Sequence, residues 1–255
     1  MAGVEAATAS KVQEEVAKAS MDTVGPVEGA KAANHTVSRA EDDKVFIKYP
    51  SGATYFGEMR NGEPHGYGKL TRPNGSQYIG EFKNGKKHGQ GVWLYGQKAD
   101  FKYIGGFEAD KKQGYGKDFR PDGSTFEGQY KNSRPDGFGV STFPGPTGWE
   151  IRGVYQAGTL QGNGTHTNRL TLSVFEGEYK DGKRNGIGYE KRLKFGTSLK
   201  GAEAVTFEEL RKFILKTPGT DTRGTWKDGK RHGRFSIIEN GVEEICYYEN
   251  GEKRK

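Results

Sequence analysis

Cysteine is almost absent from this chain. Cys246 is the one thiol among 255 residues, which excludes an intrachain disulfide framework and any metal site built from clustered thiolates. Apolar runs of about 18 residues, the length a membrane-crossing helix needs, are also missing. Leu, Ile, Val and Phe together make up about 18% of the chain, a level otherwise found in disordered proteins. The first residues include Glu5, Glu14 and Glu15 with no apolar segment, and glycine stands at position 3 rather than 2. Neither a secretory or mitochondrial leader nor a myristoylation site is therefore expected. A soluble protein of a reducing, intracellular compartment is the expectation.

What is present argues against disorder. The chain carries 14 Phe, 13 Tyr and 3 Trp, and disordered sequences are poor in such residues. Glycine is abundant, at 40 residues, and each one in a helix costs about 1 kcal/mol relative to alanine. The combination argues against a large α/β enzyme core and for an all-β or repetitive architecture. Lys and Arg number 40 against 33 acidic residues, a net charge of +7.

A repeat organises most of the chain. An aromatic, a glycine and a second aromatic recur two places apart as Tyr55, Gly57 and Met59 (where the second aromatic is a methionine), Tyr78, Gly80 and Phe82, and Tyr103, Gly105 and Phe107. They return as Phe126, Gly128 and Tyr130, as Ile151, Gly153 and Tyr155, as Phe175, Gly177 and Tyr179, and as Thr222, Gly224 and Trp226. Each unit then carries a Gly-x-Gly, from Gly66 and Gly68 to Gly186 and Gly188, except that the last has Gly233 and Phe235. Alternation of large and small residues with period two is the mark of a strand. Asn61-Gly62, Asn84-Gly85, Asp181-Gly182 and Asp228-Gly229 are the pairs that a tight hairpin with two positive-φ residues requires. Each unit thus reads as one hairpin, marginal alone and stable when stacked on its neighbours.

These residues resemble the MORN repeat (membrane occupation and recognition nexus), over 55–189 and 222–241 with half-units at 45–54 and 242–251. The expected fold is all-β: an elongated single-layer antiparallel β-meander of about seven stacked MORN hairpins, with one helical insertion and an extended N-terminal arm. Residues 1–44 form that arm, either disordered or ordered by a partner. Residues 45–191 hold repeats one to six with the N-terminal half-unit, and 222–255 the seventh repeat with a C-terminal half-unit. Between them lies an insertion at 192–221. There Thr206 and Glu209 form a capping box and Phe207, Leu210 and Ile214 share one helical face, which predicts a helix near 205–216 that packs on the sheet or receives a partner.

Sites for chemistry are scarce. His65, His88 and His232 share one slot of the repeat with Gln113, Asp136, Gln161 and Asn185. Equivalent residues of adjacent hairpins lie about 10 Å apart, too far for one zinc ion, whose ligands stand at about 2 Å. A hydrogen bond at the turn edge fits all four residue types better. No phosphate loop and no hydrolase, zincin or kinase motif is present, and Cys246 reads as a small buried hydrophobe. No enzyme, metal or cofactor is expected. The aromatics Tyr55, Tyr78, Phe82, Tyr103, Phe107, Phe126, Tyr130, Phe175, Tyr179 and Trp226 read as the repeat core.

Basic residues gather at the hairpin turns: Lys83, Lys86, Lys87, Lys111, Lys112, Lys131, Arg134, Lys183, Arg184, Lys230 and Arg231. They are expected to line one edge, where they either keep strand ends soluble or contact an acidic partner. With the aromatics committed to the sheet, nucleic acid is not expected. The resemblance implies a non-enzymatic structural scaffold of a cytoskeletal assembly in the cytoplasm, of the kind found in ciliary or flagellar axonemes and radial spoke heads. Its partners would then be other axonemal proteins, or a second copy joined through the end strands. The alternative is a peripheral module that binds anionic phospholipid through the basic edge. The departures at Ser133, Ile151 and Thr222 mark places where the sheet is expected to bend or a partner to dock.

Overall fold

The computed structural model describes residues 31–32, 35–39, 44–96, 101–194, 197 and 205–254, with side chains from residue 44 onward. The chain packs as two compact units, one of residues 1–122 with 130–133 and one of 123–129 with 134–255.

The first unit contains β1 (Lys31–Ala32), β2 (His35–Arg39), β3 (Val45–Lys48), β4 (Thr54–Arg60), β5 (Glu63–Thr71), β6 (Gln77–Lys83), β7 (Lys86–Tyr95), β8 (Phe101–Glu108) and β9 (Lys111–Phe119). Each strand runs antiparallel to the next in chain order. Residues 1–30 of the expected arm lie outside the described residues. Its end is a strand: Val37 and Thr36 of β2 stand opposite Ile47 and Lys48 of β3, so the sheet begins before the predicted half-unit.

Strand β10 (Thr125–Lys131) is divided, with residues 125–129 belonging to the second unit and 130–131 to the first. There follow β11 (Arg134–Phe143), β12 (Trp149–Gln156), β13 (Thr159–Asn168), β14 (Ser173–Lys180), β15 (Lys183–Arg192), β16 (Thr220–Lys227), β17 (Lys230–Glu239), β18 (Val242–Glu249) and β19 (Glu252–Arg254). From β11 on, every chain neighbour is an antiparallel partner. The fold is thus an antiparallel meander of stacked hairpins.

The turn pairs adopt the conformation that their sequence demands. Asn84 has φ +51° and Gly85 φ +73°, and Asp228 with Gly229 repeats them at +51° and +84°. Ser133, which stands where glycine is usual, still has φ +68°. Its hydroxyl accepts the Lys112 N–H at 3.1 Å, as the Asp110 carboxylate accepts that of Lys87, and these bonds offset the strain of a left-handed side-chain residue. Ser133 is accordingly a normal turn.

One face of each unit is a packed row of rings. In the first unit Tyr55 meets Phe82 at 5.2 Å, Phe82 meets Tyr78 at 5.0 Å, and Tyr78 meets Phe107 at 5.0 Å, all edge to face. Tyr103 continues the row to Phe107 and Tyr130, each at 5.2 Å. Edge-to-face pairs at such distances contribute about 0.5–1.5 kcal/mol beyond the area they bury. The second glycine of Gly-x-Gly makes room for the ring: a Cβ at Gly91 would stand 2.5 Å from the Tyr78 ring. A bulge after Gly80 interrupts the ladder between β6 and β7, and the Tyr78 hydroxyl donates to the Glu81 carbonyl there at 2.9 Å.

In the second unit Phe126 meets Tyr155 at 5.0 Å, Phe175 meets Tyr179 at 5.6 Å and Trp226 at 5.0 Å, and Trp226 meets Phe235 at 4.9 Å. Helix α1 (Phe207–Lys216) lies on the opposite face. Thr206 caps it, accepting the Glu209 N–H at 3.2 Å while the Glu209 carboxylate accepts the Thr206 N–H at 2.8 Å. Leu210 and Ile214 bury themselves with Val174 and Leu193, so the predicted helix packs on the sheet.

Candidate partner-binding surface

The turns divide the basic residues by parity. Lys83 pairs with Lys86 and Phe82 with Lys87 across the same hairpin. Side chains alternate between faces along a strand, so the first residue after each turn points away from the rings and the second points onto them. Lys83, Lys86, Lys111, Lys131, Arg134, Lys183 and Lys230 are exposed. Lys87, Lys112, Arg184 and Arg231 instead lie over the aromatic face, opposite Phe82, Phe107, Tyr179 and Trp226. The expected basic edge therefore keeps only the first set. Counting the alternation through a two-residue turn separates the two sets from sequence alone.

The inward cations have partners of their own. The Lys112 ammonium pairs with the Asp118 carboxylate, which also accepts the Tyr130 hydroxyl at 2.7 Å. Arg184 stands 3.0 Å and Arg231 3.2 Å from the two oxygens of the buried Glu190, and Arg184 lies 4.0 Å over the Phe175 ring. Although burial opposes ionisation of Glu190, the guanidinium groups of Arg184, Arg192 and Arg231 hold its carboxyl below the usual carboxylate range. His166 is pushed down to about 4, first by burial and then by repulsion from Arg184. Lys87, only 6% exposed, rests 3.2 Å from the centre of the Trp93 ring.

The outward set has a different character. Lys83 faces Lys86, Lys180 faces Lys183, and Lys227 faces Lys230 directly across their ladders. Like charges opposite one another in a sheet are destabilising. No ion pair engages any of these six among the described residues. They form three lysine knuckles at hairpin tips, and the exposed Arg234 follows the Lys227–Lys230 knuckle along the same strand.

The slot shared with the histidines makes hydrogen bonds where Gln or Asp fills it, whereas the Nδ1 atoms of His65 and His232 are buried without a partner. Gln113 accepts the Asn132 N–H at 3.1 Å, Asp136 the Ala157 N–H at 3.1 Å and Gln161 the Asp181 N–H at 3.2 Å. Each bond joins one hairpin to the turn of the next. Among the described residues no three His, Cys, Asp or Glu side chains gather as a metal would need. Cys246 is buried at 4% exposure, in the place that glycine holds in the other repeats. No helix is long and apolar enough to cross a membrane among the described residues.

Two departures from the repeat are filled from the facing strand. Thr222 stands where a leading aromatic is usual, and Phe235, in the place of the second glycine, fills that space with 0% exposure. A Cβ at Gly224 would stand 2.5 Å from the Phe235 ring. Ile151 is matched likewise by the buried Leu160. The C-terminal edge strand β19 is three charged residues, with Lys253 paired to Glu244 and Arg254 to Glu249.

Comparison with known proteins adds three findings. No curated protein matches the chain. Among solved structures it is similar to the TCP domain of SAS-4 (dCPAP) of Drosophila melanogaster, in complex with a proline-rich motif of Ana2 (dSTIL). The identity is 11% over 89% of this chain and 99% of that one, with a TM-score of 0.35, a likeness too loose to bear on function. Residues 55–77, 78–97, 103–125, 126–145, 175–191 and 223–234 match the MORN repeat, so six copies of this structural or interaction module are recognised in the chain.

Proposed function

We propose that this chain is a non-enzymatic scaffold of a cytoskeletal assembly, at home in a ciliary or flagellar axoneme, and that its hairpin tips dock on an acidic protein surface. The observation that carries the reading is the set of cross-strand pairs Lys83–Lys86, Lys180–Lys183 and Lys227–Lys230. Each pair opposes folding and none has an acidic partner among the described residues, which is what a surface kept for binding looks like. The MORN repeats supply the interaction module.

The test is fractionation of cells that express the full chain after non-ionic detergent, followed by a salt titration. A scaffold stays in the detergent-resistant pellet and leaves it at high salt. Replacing the three knuckles by glutamine releases it about ten-fold more readily, since several exposed charges act together. Release by detergent alone overturns the scaffold reading and favours anionic lipid at the same knuckles.

A further inference from the structure

Three of the four inward cations neutralise a carboxylate of their own sheet: Lys112 meets Asp118, while Arg184 and Arg231 meet Glu190. Lys87 meets none. The place that Asp118 and Glu190 hold in their hairpins is taken in this one by Trp93, whose ring centre lies 3.2 Å from the Lys87 ammonium. Tyr78 and Phe107 stand farther off, at 5.8 and 5.6 Å. A second cation joins them, with the Arg72 guanidinium 5.0 Å from the same ring centre. The buried Trp93 Nε1 also lacks an acceptor. The Lys87 ammonium and the Arg72 guanidinium thus share one ring, and among the described residues no side-chain acceptor bonds either of them or the indole N–H, the Asp110 carboxylate being bonded to the Lys87 backbone N–H. Ring faces attract a cation but leave its N–H groups without acceptors.

We propose that Lys87, Arg72 and Trp93 seat a carboxylate side chain from a partner protein, an Asp or Glu within an apolar segment, whose neighbouring side chain lies on the half-buried, stacked pair Tyr95 and Phe101. The two rings of that pair are 4.3 Å apart. The chemistry of the ligand is read from the sheet itself, because the equivalent cations Lys112 and Arg184 each hold one carboxylate. A monoanion fits a seat with one buried cation and one exposed one. Nucleic acid fits poorly, since Lys87 already covers Trp93 and Phe101 covers Tyr95, which leaves stacked bases little open ring face. Burial pushes the Lys87 amine down to about 8, and an arriving carboxylate reverses that penalty. The seat rests on the reading that this chain binds protein, and it lies on the face opposite to the lysine knuckles.

The probe is a set of twelve-residue synthetic peptides, each with one Glu flanked by Leu, Phe or Pro on an Ala-Gly background. Binding to the full chain is measured by fluorescence anisotropy. Glu-containing peptides bind, and the matched Gln peptides bind about ten-fold more weakly, the scale of a charge-assisted hydrogen bond. Arg72→Gln and Lys87→Gln each remove that preference, whereas Lys83→Gln with Lys86→Gln leaves it intact. Arg72 is exposed, so its variant keeps the test decisive if Lys87→Gln fails to fold. The proposal is overturned if no Glu peptide binds, if Arg72→Gln keeps the preference for Glu over Gln, or if decathymidylate or phosphatidylserine vesicles displace the peptide. Should the peptides fail while the chain stays in the detergent-resistant pellet, the seat falls and the scaffold reading stands.

Discussion

The two units solve one packing problem with different residues. In the first, a leading tyrosine lies over a glycine of the return strand, and its hydroxyl closes the hydrogen bond that the bulge opens: Tyr55 donates to the Glu58 carbonyl at 2.6 Å, Tyr78 to that of Glu81 and Tyr103 to that of Gly106. In the second unit the leading residues are Phe126, Ile151, Phe175 and Thr222, none with a phenol. Ring, aliphatic chain and ion pair share the work there, and in the last repeat ring and glycine exchange strands. The repeat therefore conserves a filled volume across a strand pair, while leaving open which strand supplies the ring.

The sharpest way to break that comparison is to undo the exchange. Phe235→Gly removes a ring with no exposure and should cost about 3–5 kcal/mol, the range for truncating a buried Phe. Adding Thr222→Tyr rebuilds the arrangement of the first unit and should restore most of the loss. Urea denaturation of the single and double variants gives both numbers. A double variant no more stable than the single one would show that the strands are not interchangeable.

Acid separates the units less severely. His166 belongs to the second unit, and its pKa is about 4 in the fold against an ordinary 6.5. A histidine held below its unfolded pKa leaves stability intact above about pH 6.5 and removes it as pH falls from there towards about 4, because the unfolded chain takes the proton first. The expected loss is on the order of 2 kcal/mol. Thermal melts at pH 7 and pH 4.5 should differ less for His166→Gln than for the parent chain. Equal differences would mean that other groups govern the acid response.

The smallest effect sharpens the comparison within the first unit. Gly89 has φ +55° and Gly114 φ +71°, a conformation that asparagine tolerates better than most residues. A Cβ at Gly89 would stand 2.3 Å from the Glu81 carboxyl carbon, whereas nothing lies within 4 Å of one at Gly114. That carboxylate accepts the Gln90 N–H at 2.8 Å, and at the matching position Gly106 has no side chain. Gly89→Asn should lower stability by about 1–2 kcal/mol through the displaced bond, and Gly114→Asn should leave it within about 0.5 kcal/mol. Chemical denaturation of the two variants tests the difference.

Much of this architecture was legible beforehand because its signals are local. Asn-Gly and Asp-Gly pairs set the turns, period-two alternation set the strands, and Thr206 with Glu209 marked the helix start. The burial of Tyr78, Phe126 and Phe175 followed from the same alternation. What escaped depends on contacts between hairpins. Treating all turn-proximal lysines and arginines as one group concealed that Lys87 and Arg184 point onto rings, since charge suggests solvent until a facing ring or carboxylate is located. Thr222 looked like a defect because its replacement ring, Phe235, comes from another strand. The early start of the sheet at β1 and β2 escaped because Lys31–Ala32 and His35–Arg39 lack the glycines and aromatics that mark the other hairpins.

A single backbone bond recurs through both units. The N–H of Gly85 reaches the Pro64 carbonyl at 2.9 Å, that of Asp110 the Lys87 carbonyl at 3.0 Å, that of Gly182 the Leu160 carbonyl at 3.0 Å and that of Gly251 the Arg231 carbonyl at 2.9 Å. Every such bond uses main-chain atoms alone, so it does not depend on which side chains a hairpin carries. A gene that duplicates or deletes one whole hairpin leaves the same donor facing the same acceptor at the new junction. Length can then change by whole repeats during evolution, while the side chains of each hairpin diverge independently.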